Sequence, residues 1–473
     1  MPAFIGHTIL TSQSPTPRLV RACTPFGLCV RRGTDASGSS DEPARLLRTG
    51  LASPGVALLC GPSGCGKSRT LTALAAQLGQ ARQRWLTLSS GQDLPDGAST
   101  LLVDLLGTDV SPEQTLAHLA AFGLAQPALL ARRLCELSEG QQHRARLALL
   151  FHCASRQGAR WLLLDEFCSV LDRITAASVA QTLARVARRS ALRVVCATAH
   201  DDIAEHLRPD MILRFDSSGR WQSLEPAGAS PERSIVIEVG TRCDMERLLP
   251  HHYLAGPPAT RTLYLRAFDR AHDELAGVLV VSMPTLNGIW RAQAWPGRYS
   301  GRDRRRALAR LNAEVRCISR VIVDPRYRGR GIARRLVEAY LARPQTPATE
   351  AIAAMGGFCP FFERAGMTCY HVPRAAADAR LADAIESLGL EAWMLADPER
   401  AASIVRRPLI RRELDRWARL RHLNATEPAE LARLAAARLC VEPRAYAHVS
   451  PHGTASDRRR GGTRRERSHP EQR

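Results

Sequence analysis

The residues best placed to do chemistry are Gly61-Pro62-Ser63-Gly64-Cys65-Gly66-Lys67-Ser68, which fit the pattern G-x-x-x-x-G-K-[ST]. The apolar run at residues 56–60 enters this stretch as a buried strand. Residues 69–76 leave it as a helix, the context the pattern requires. Backbone N–H groups of such a glycine-rich loop and of the helix N-terminus wrap phosphate oxygens. Lys67 then reaches the β- and γ-phosphates, and the Ser68 hydroxyl ligates Mg²⁺. The expected contacts are Gly61, Ser63, Gly64, Cys65, Gly66, Lys67, Ser68 and Arg69. Lys67 is the only lysine among 66 basic residues; the rest are arginine. A compact ammonium fits between phosphate oxygens where a planar guanidinium does not.

A second set follows. In Leu137-Ser138-Glu139-Gly140-Gln141 a polar turn opens into a helix, whose N–H groups and Ser138 hydroxyl suit an anion. Trp161-Leu162-Leu163-Leu164-Asp165-Glu166 is an apolar strand ending in two carboxylates. Asp165 is placed to hold Mg²⁺ together with Ser68. Glu166 is placed to polarise an attacking water. Ser169-Val170-Leu171-Asp172 comes next. Residues 192–199 form another buried strand, with His200 at its C-terminal end, where parallel α/β sheets bind ligands.

In this order the motifs resemble the ATP-binding-cassette (ABC) ATPases over about residues 45–225. Residues 137–141 are similar to their signature motif, 161–166 to their Walker B strand, 169–172 to their D-loop and His200 to their switch histidine. The resemblance implies an ATP- and Mg²⁺-dependent hydrolase with Lys67, Glu166 and His200 as catalytic residues. It also implies a head-to-tail homodimer, with ATP held between one P-loop and Ser138, Gly140 and Gln141 of the second copy. Members usually carry a glutamine after the strand that precedes a helical insert. Residues 100–106 read as that strand and end without one; Gln92 and Gln114 are poor candidates. The insert between Asp104 and Leu137 is short, which argues against a transporter subunit and suits soluble cassettes that act on nucleic acid. Phe26, upstream of the loop, is a candidate for stacking on adenine, although plain packing is the weightier reading.

A second strand–glycine loop–helix lies at residues 317–343, around Arg326-Tyr327-Arg328-Gly329-Arg330-Gly331-Ile332-Ala333. Its glycines let backbone N–H groups approach a pyrophosphate, helped by the helix dipole. Strands are expected before it at 234–238, 262–268 and 275–282, and after it at 351–355. With Phe361-Phe362-Glu363-Arg364-Ala365-Gly366-Met367 this block resembles the GCN5-related N-acetyltransferases (GNAT) over about residues 232–373. The resemblance implies a splayed strand pair that admits acetyl-CoA or another acyl-CoA, with Val321, Val323, Arg328, Gly329, Arg330, Gly331 and Ala333 as contacts. Many members have a tyrosine acid where Phe362 stands, and an asparagine where Cys359 stands. Phenylalanine has no proton to donate. Glu314 is the candidate base, against the bland alternative of a solvent-facing carboxylate. Tyr327 and Cys359 are lesser candidates. The pair His251-His252 reads as loop rather than as metal ligands. Residues 286–315 interleave Trp290, Trp295 and Tyr299 with the run Arg302-Asp303-Arg304-Arg305-Arg306, which suits base stacking and phosphate contacts.

The elements needed to position these residues make an α/β chain. It comprises a P-loop NTPase cassette with a mostly parallel sheet and helical insert, then a GNAT-like α+β domain, then a helical C-terminal region. Expected boundaries are an N-terminal segment at 1–44, the ATPase at 45–230, the acyltransferase at 231–374, a basic helical region at 375–451 and a disordered basic tail at 452–473. Residues 34–43 read as a flexible loop. The net charge of +20 is uneven: residues 1–230 carry 24 basic and 19 acidic side chains, and residues 231–473 carry 42 and 27. The basic second half points to a nucleic-acid partner, with solvated basic surface as the equal alternative. Thirteen cysteines without C-x-x-C pairs fit reduced thiols. No secretory signal or membrane-length apolar run is read, so a cytoplasmic location is expected. The fused order resembles a family of cassette ATPases joined to an acetyltransferase-like domain; a phage enzyme that modifies adenines in DNA also uses this second fold. Two other readings stay open: an ATP-driven switch with an inert second domain, and a transporter's ATPase subunit.

Overall fold

The computed structural model describes residues 8–11, 14–24, 29–32, 38–88, 100–124, 126–225, 234–252, 256–286, 288–300, 303–354, 356–357, 359–423 and 426–449. The chain forms two compact units, Met1–Pro231 and Glu232–Arg473. Its class is the expected one: mixed α/β with a largely parallel sheet, then a second sheet with helices towards the C-terminus.

The first unit runs β1 (Thr8–Thr11), α1 (Pro17–Cys23), β2 (Cys29–Arg32), α2 (Gly38–Gly50), β3 (Gly55–Cys60), α3 (Lys67–Gln80) and β4 (Trp85–Leu88). It continues α4 (Pro112–Ala121), α5 (Pro127–Leu130), α6 (Glu139–Gln157), β5 (Trp161–Leu164), α7 (Arg173–Arg189), β6 (Arg193–Thr198), α8 (Ala204–Leu207), β7 (Met211–Phe215) and β8 (Trp221–Leu224). The six-stranded sheet has the order β4-β5-β6-β3-β7-β8, and only β8 is antiparallel. Strands β3 and β5 are buried along their whole length, as expected of central parallel strands covered on both faces. The C-terminal ends of β3, β6 and β5 therefore share one edge, with Cys60 opposite Thr198 and Leu164 opposite Cys196.

Two expectations need correction here. Residues 38–43 are not loop but the start of α2, because Ala44, Leu47 and Leu51 bury completely or nearly so beneath β3. Residues 100–106 are not a strand. Leu101 makes one bridge to Arg133, and Leu102–Asp104 is a 3₁₀ turn with Leu102 buried. The place beside β5 belongs to β4. The glutamine that follows that strand in the sequence is Gln92, which lies outside the described residues, as do Phe26, Arg302 and the tail from residue 450.

The second unit runs β9 (Ile235–Val239), α9 (Arg242–Leu248), β10 (Leu263–Asp269), β11 (Glu274–Ser282), α10 (Arg291–Ala294), α11 (Arg304–Glu314), β12 (Val315–Val323), α12 (Ile332–Ala342), β13 (Ala348–Ala353), α13 (Phe361–Arg364) and β14 (Thr368–His371). Four helices follow, α14 (Ala376–Glu386), α15 (Pro398–Val405), α16 (Pro408–Leu420) and α17 (Pro428–Leu439), then β15 (Arg444–Val449). The sheet order is β14-β15-β13-β12-β11-β10-β9. Residues 444–449, expected to be helical, thus form the strand between β13 and β14, and the helices form an excursion between two neighbouring strands. Their own core contains Leu381, Ile385, Ile410, Leu414, Trp417 and Leu431. Pro408 opens α16 after α15 has ended, because proline cannot continue an i→i−4 ladder but suits a first turn.

Candidate functional site

The first site is built at the shared edge of β3, β6 and β5. Gly61, Gly64 and Gly66 have φ of 150°, 79° and 105°, conformations that favour glycine. A Cβ on Gly61 would lie 2.4 Å from the Phe215 carbonyl oxygen, whereas Gly64 and Gly66 face open space. Gly66 starts α3 and no side chain caps it, so the first amides of α3 are left for an anion. Lys67 Nζ donates to the carbonyls of Gly61 and Pro62, each at 2.7 Å. Ser63, Ser68 and Arg69 are exposed, and Cys65 is buried under the loop. Asp165 is half-buried just past β5, and its Oδ1 accepts the Glu166 N–H at 3.0 Å. Glu166 is exposed with φ of 49°, and Cys168 has φ of 61°. Two such non-glycine residues within three positions mark a tightly constrained loop. His200 is exposed past β6, and its N–H donates to Thr198 Oγ1 at 3.2 Å. Open glycines, uncapped amides, an ammonium and a hydroxyl–carboxylate pair across the sheet edge fit a nucleoside triphosphate with Mg²⁺.

Ser138 is occupied within its own helix. It caps α6 by accepting the Gln141 N–H, while Gln141 Oε1 accepts the Ser138 N–H at 3.1 Å, a reciprocal capping box. Gly140 has a packing reason to be glycine, because a Cβ there would lie 2.9 Å from Leu171 Cδ2. A residue not picked out from the sequence, His143, ties α6 to the loop after β5. Its Nε2 accepts the Cys168 N–H at 3.4 Å, and its ring lies 6.2 Å from that of Phe167. Burial, then Arg146 and Arg144, hold its pKa down to about 4, so the ring is a neutral acceptor at pH 7.

The second site is built where β12 and β13 part. Their parallel pairing runs only from Val315↔Ala348 to Ile318↔Ala351. Beyond it, β12 continues through Val321 and Val323 paired with β11 alone, while Ile352 and Ala353 pair with β15. That opening is the expected splay. At its far end Gly329 and Gly331 have φ of 91° and 76°, and Gly331 starts α12 without a side-chain cap and faces open space. These features fit a pyrophosphate with an extended thiol arm. The arginines around the loop mostly hold the loop itself. Arg326 forks onto Glu274 at 3.2 and 2.7 Å and also binds Asp324. Arg328 donates to the carbonyls of Val323 and His251. Arg330 is buried, 3.8 Å from Asp269, over the ring of Tyr327. Ala333 follows Ile332 in the first turn of α12, half-buried.

The lesser candidates divide. Glu314 ends α11 and is paired with Arg298 at 2.8 Å. Beside it burial, with the Glu314 charge, pushes the Tyr299 pKa up to about 12. Tyr327 is fully buried, and Cys359 is half-buried with its thiol pKa raised by burial. Trp290 does not face solvent for base stacking. It packs against Ala445 and Ala447 of β15 and leads an aromatic chain through Trp295 to Tyr299. The expectation failed because β15, its packing partner, had been read as helix. Phe362 is buried, its ring 5.0 Å from that of Tyr446 on β15. Among the described residues there is no cluster of three metal-ligating side chains, and no helix is long and apolar enough to cross a membrane.

Comparison with known proteins gives two domain-family matches. Residues 51–205 match the AAA domain family, and residues 249–366 match the acetyltransferase (GNAT) family. No curated protein matches the chain. Among solved structures, the dimeric form of MJ0796, a bacterial ABC transporter cassette, is similar at 17% identity, covering 38% of this chain and 88% of that one with a TM-score of 0.31. The same cassette in a dimeric post-hydrolysis state bound to ADP and Pi gives the same figures. These matches support an AAA-type P-loop NTPase domain followed by a GNAT acetyltransferase domain.

Proposed function

We propose that the chain is an ABC-type ATPase that closes as an ATP-dependent homodimer in the cytoplasm and works with an acyl-CoA-dependent N-acyltransferase acting on nucleic acid or a protein bound to it. The observation that carries this is the pairing of the two sites in one chain: three nucleotide motifs at one sheet edge and a splayed strand pair ending in an uncapped glycine loop.

In the first unit, Lys67 and the amides of residues 64–69 bind the phosphates. Ser68 and Asp165 hold Mg²⁺, which when bound screens the phosphate charge. Glu166 orients the attacking water, and His200 reaches the terminal phosphate from β6. Ser138 retains acceptor and donor capacity beyond its own cap, so it remains available to a nucleotide on a second copy. In the second unit, the free edge of β12 and the amides of residues 329–333 bind the acyl-CoA. Exposed arginines on and before α16 (Arg406, Arg407, Arg411, Arg412, Arg416 and Arg419) support a polyanionic partner.

Steady-state ATPase assays with and without DNA and RNA test the partner. Stimulation that falls steeply with salt is expected, and no stimulation by any polymer removes the nucleic-acid part. Glu166→Gln should keep ATP binding and lose hydrolysis. Calorimetry with acetyl-CoA tests the second site, where binding in the micromolar range or tighter is expected.

A further inference from the structure

An acyl transfer that releases a thiol needs a proton for the departing sulfur, and Phe362 has none to give. The described part of the second unit contains three buried tyrosines whose hydroxyls make no hydrogen bond of good geometry: Tyr327, Tyr340 and Tyr446. Their positions separate them. Tyr327 lies in the glycine loop under Arg330. Tyr340 lies late in α12, near Thr349 at the closed end of the β12–β13 pair. Tyr446 lies where the strands separate. One continuous rung crosses the sheet there, Val281–Ile318–Ala351–Tyr446–Cys369, and Ile318↔Ala351 is the last pair joining β12 to β13. The β11–β12 register also shifts at Val280/Val281, on the same rung, and such bulges re-aim strands beside active sites. Paired residues point to one face of a sheet, and that face carries α13, since the Phe362 ring packs on Tyr446.

We propose that Tyr446 is the general acid of this unit, donating its phenol proton to the sulfur of the departing CoA and supplying from β15 the hydroxyl that position 362 lacks. The proposal rests on the acyl-CoA reading above. Two further observations support it. Gly356 keeps its own side of this hydroxyl clear, because a Cβ there would lie 2.5 Å from Tyr446 Oη. Within the fold its hydroxyl neighbours the Cys369 thiol, a weak hydrogen-bonding partner, so the phenol proton is not committed to a strong acceptor. Burial, with Cys369 and Glu363 nearby, raises the phenol pKa well above its ordinary value; the group stays protonated at neutral pH, as a donor must. In the step, an acceptor amine nitrogen attacks the thioester carbonyl carbon. The C–S bond breaks with its electron pair on sulfur, and the Tyr446 proton moves to that sulfur. The proton lost from nitrogen returns to the tyrosinate through solvent, leaving an amide and a free CoA thiol.

Calorimetry at pH 9, where the free CoA thiol ionises, compares CoA with desulfo-CoA on the full chain. The wild type should prefer CoA by about tenfold, as expected of a hydrogen bond to a charged acceptor. Tyr446→Phe should abolish the preference, Tyr340→Phe should keep it, and Phe362→Tyr combined with Tyr446→Phe should restore it. Thiol release from acetyl-CoA should fall about a hundredfold in Tyr446→Phe at unchanged KM and return in the double variant. A Tyr446→Phe chain that keeps both the CoA preference and the thiol release overturns the proposal. A wild-type chain that binds neither CoA nor desulfo-CoA removes the acyl-CoA reading itself, and the proposal with it.

Discussion

Mild acid should loosen the first unit through one buried imidazole. His143 has a folded pKa of about 4, set first by burial and then by Arg146 and Arg144; an unfolded histidine titrates near 6.5. Between those values the unfolded chain binds a proton that the folded chain refuses. The neutral ring's contribution is therefore complete above about pH 6.5 and is lost progressively as the pH falls towards 4. Linkage puts the loss between pH 7 and pH 5 at about 2 kcal/mol for this one group. Structurally the same proton ends the acceptor role of Nε2, which takes the Cys168 N–H at 3.4 Å, so α6 and the loop after β5 should separate first.

His143→Gln is the informative variant, because its amide oxygen still accepts a hydrogen bond and does not titrate. Urea unfolding of wild type and variant at pH 7 and pH 5 gives the difference between the two pH slopes, in which the other histidines cancel. Hydrogen exchange of peptides from residues 139–172 assigns the change to this contact. The wild type should lose about 2 kcal/mol more than the variant. Equal losses, or extra exchange confined to other peptides, would refute the assignment of a neutral, structural His143.

Gly140→Ala should destabilise the first unit by about 1 kcal/mol through overpacking against Leu171, and Leu171→Ala in the same chain should recover part of that in thermal melts. Full recovery of stability without recovery of ATPase activity would mean that Gly140 also serves the nucleotide. Arg291→Met should cost about 3–5 kcal/mol in urea unfolding, since it strands the fully buried Glu350, which now accepts two bonds of 2.7 Å from that guanidinium. Adding Glu350→Leu should return most of it. Tyr446→Phe should leave the melting temperature nearly unchanged, because the hydroxyl it removes makes no hydrogen bond of good geometry in the fold; a drop of several degrees would show a structural bond instead.

The first unit was more legible than the second, for a local reason. Its two strongest motifs are strands running directly into a polar turn, so period and chemistry sit within a few residues of each other, at residues 56–68 and 161–166. What failed there was residues 100–106, an apolar run that satisfies a strand pattern yet folds as a 3₁₀ turn because β4 already occupies the neighbouring place. In the second unit β15 was hidden behind four helices, and a strand is assigned to a sheet only by pairings far along the chain. Its alternation, Arg444-Ala445-Tyr446-Ala447-His448-Val449, was a usable period-2 signal. Missing it misplaced Trp290, whose exposure had been inferred from composition, and concealed Tyr446 altogether. His143 left no sequence signal, since an imidazole on a helix is equally at home in solvent.

The lone lysine now has a geometric explanation as well as a compositional one. Several arginines fork onto planar partners: Arg326 onto Glu274, Arg291 onto Glu350 and Arg433 onto Glu430. A guanidinium meets such carboxylates edge to edge with two parallel bonds, which an ammonium cannot do. Lys67 is different. Its nitrogen converges on two carbonyl oxygens of one tight loop, both at 2.7 Å, and a fork of five N–H groups has no such point to offer. The second glycine loop has no equivalent pocket: its arginines are turned back onto Glu274, Asp269 and the Val323 carbonyl. Under the proposed acyl-CoA reading, the anion there is held by amides rather than by a dedicated side-chain cation. The two loops share a strand–glycine–helix design, and the presence or absence of one ammonium is the difference the proposed functions require, cleavage of a phosphate chain at the first and holding of one at the second.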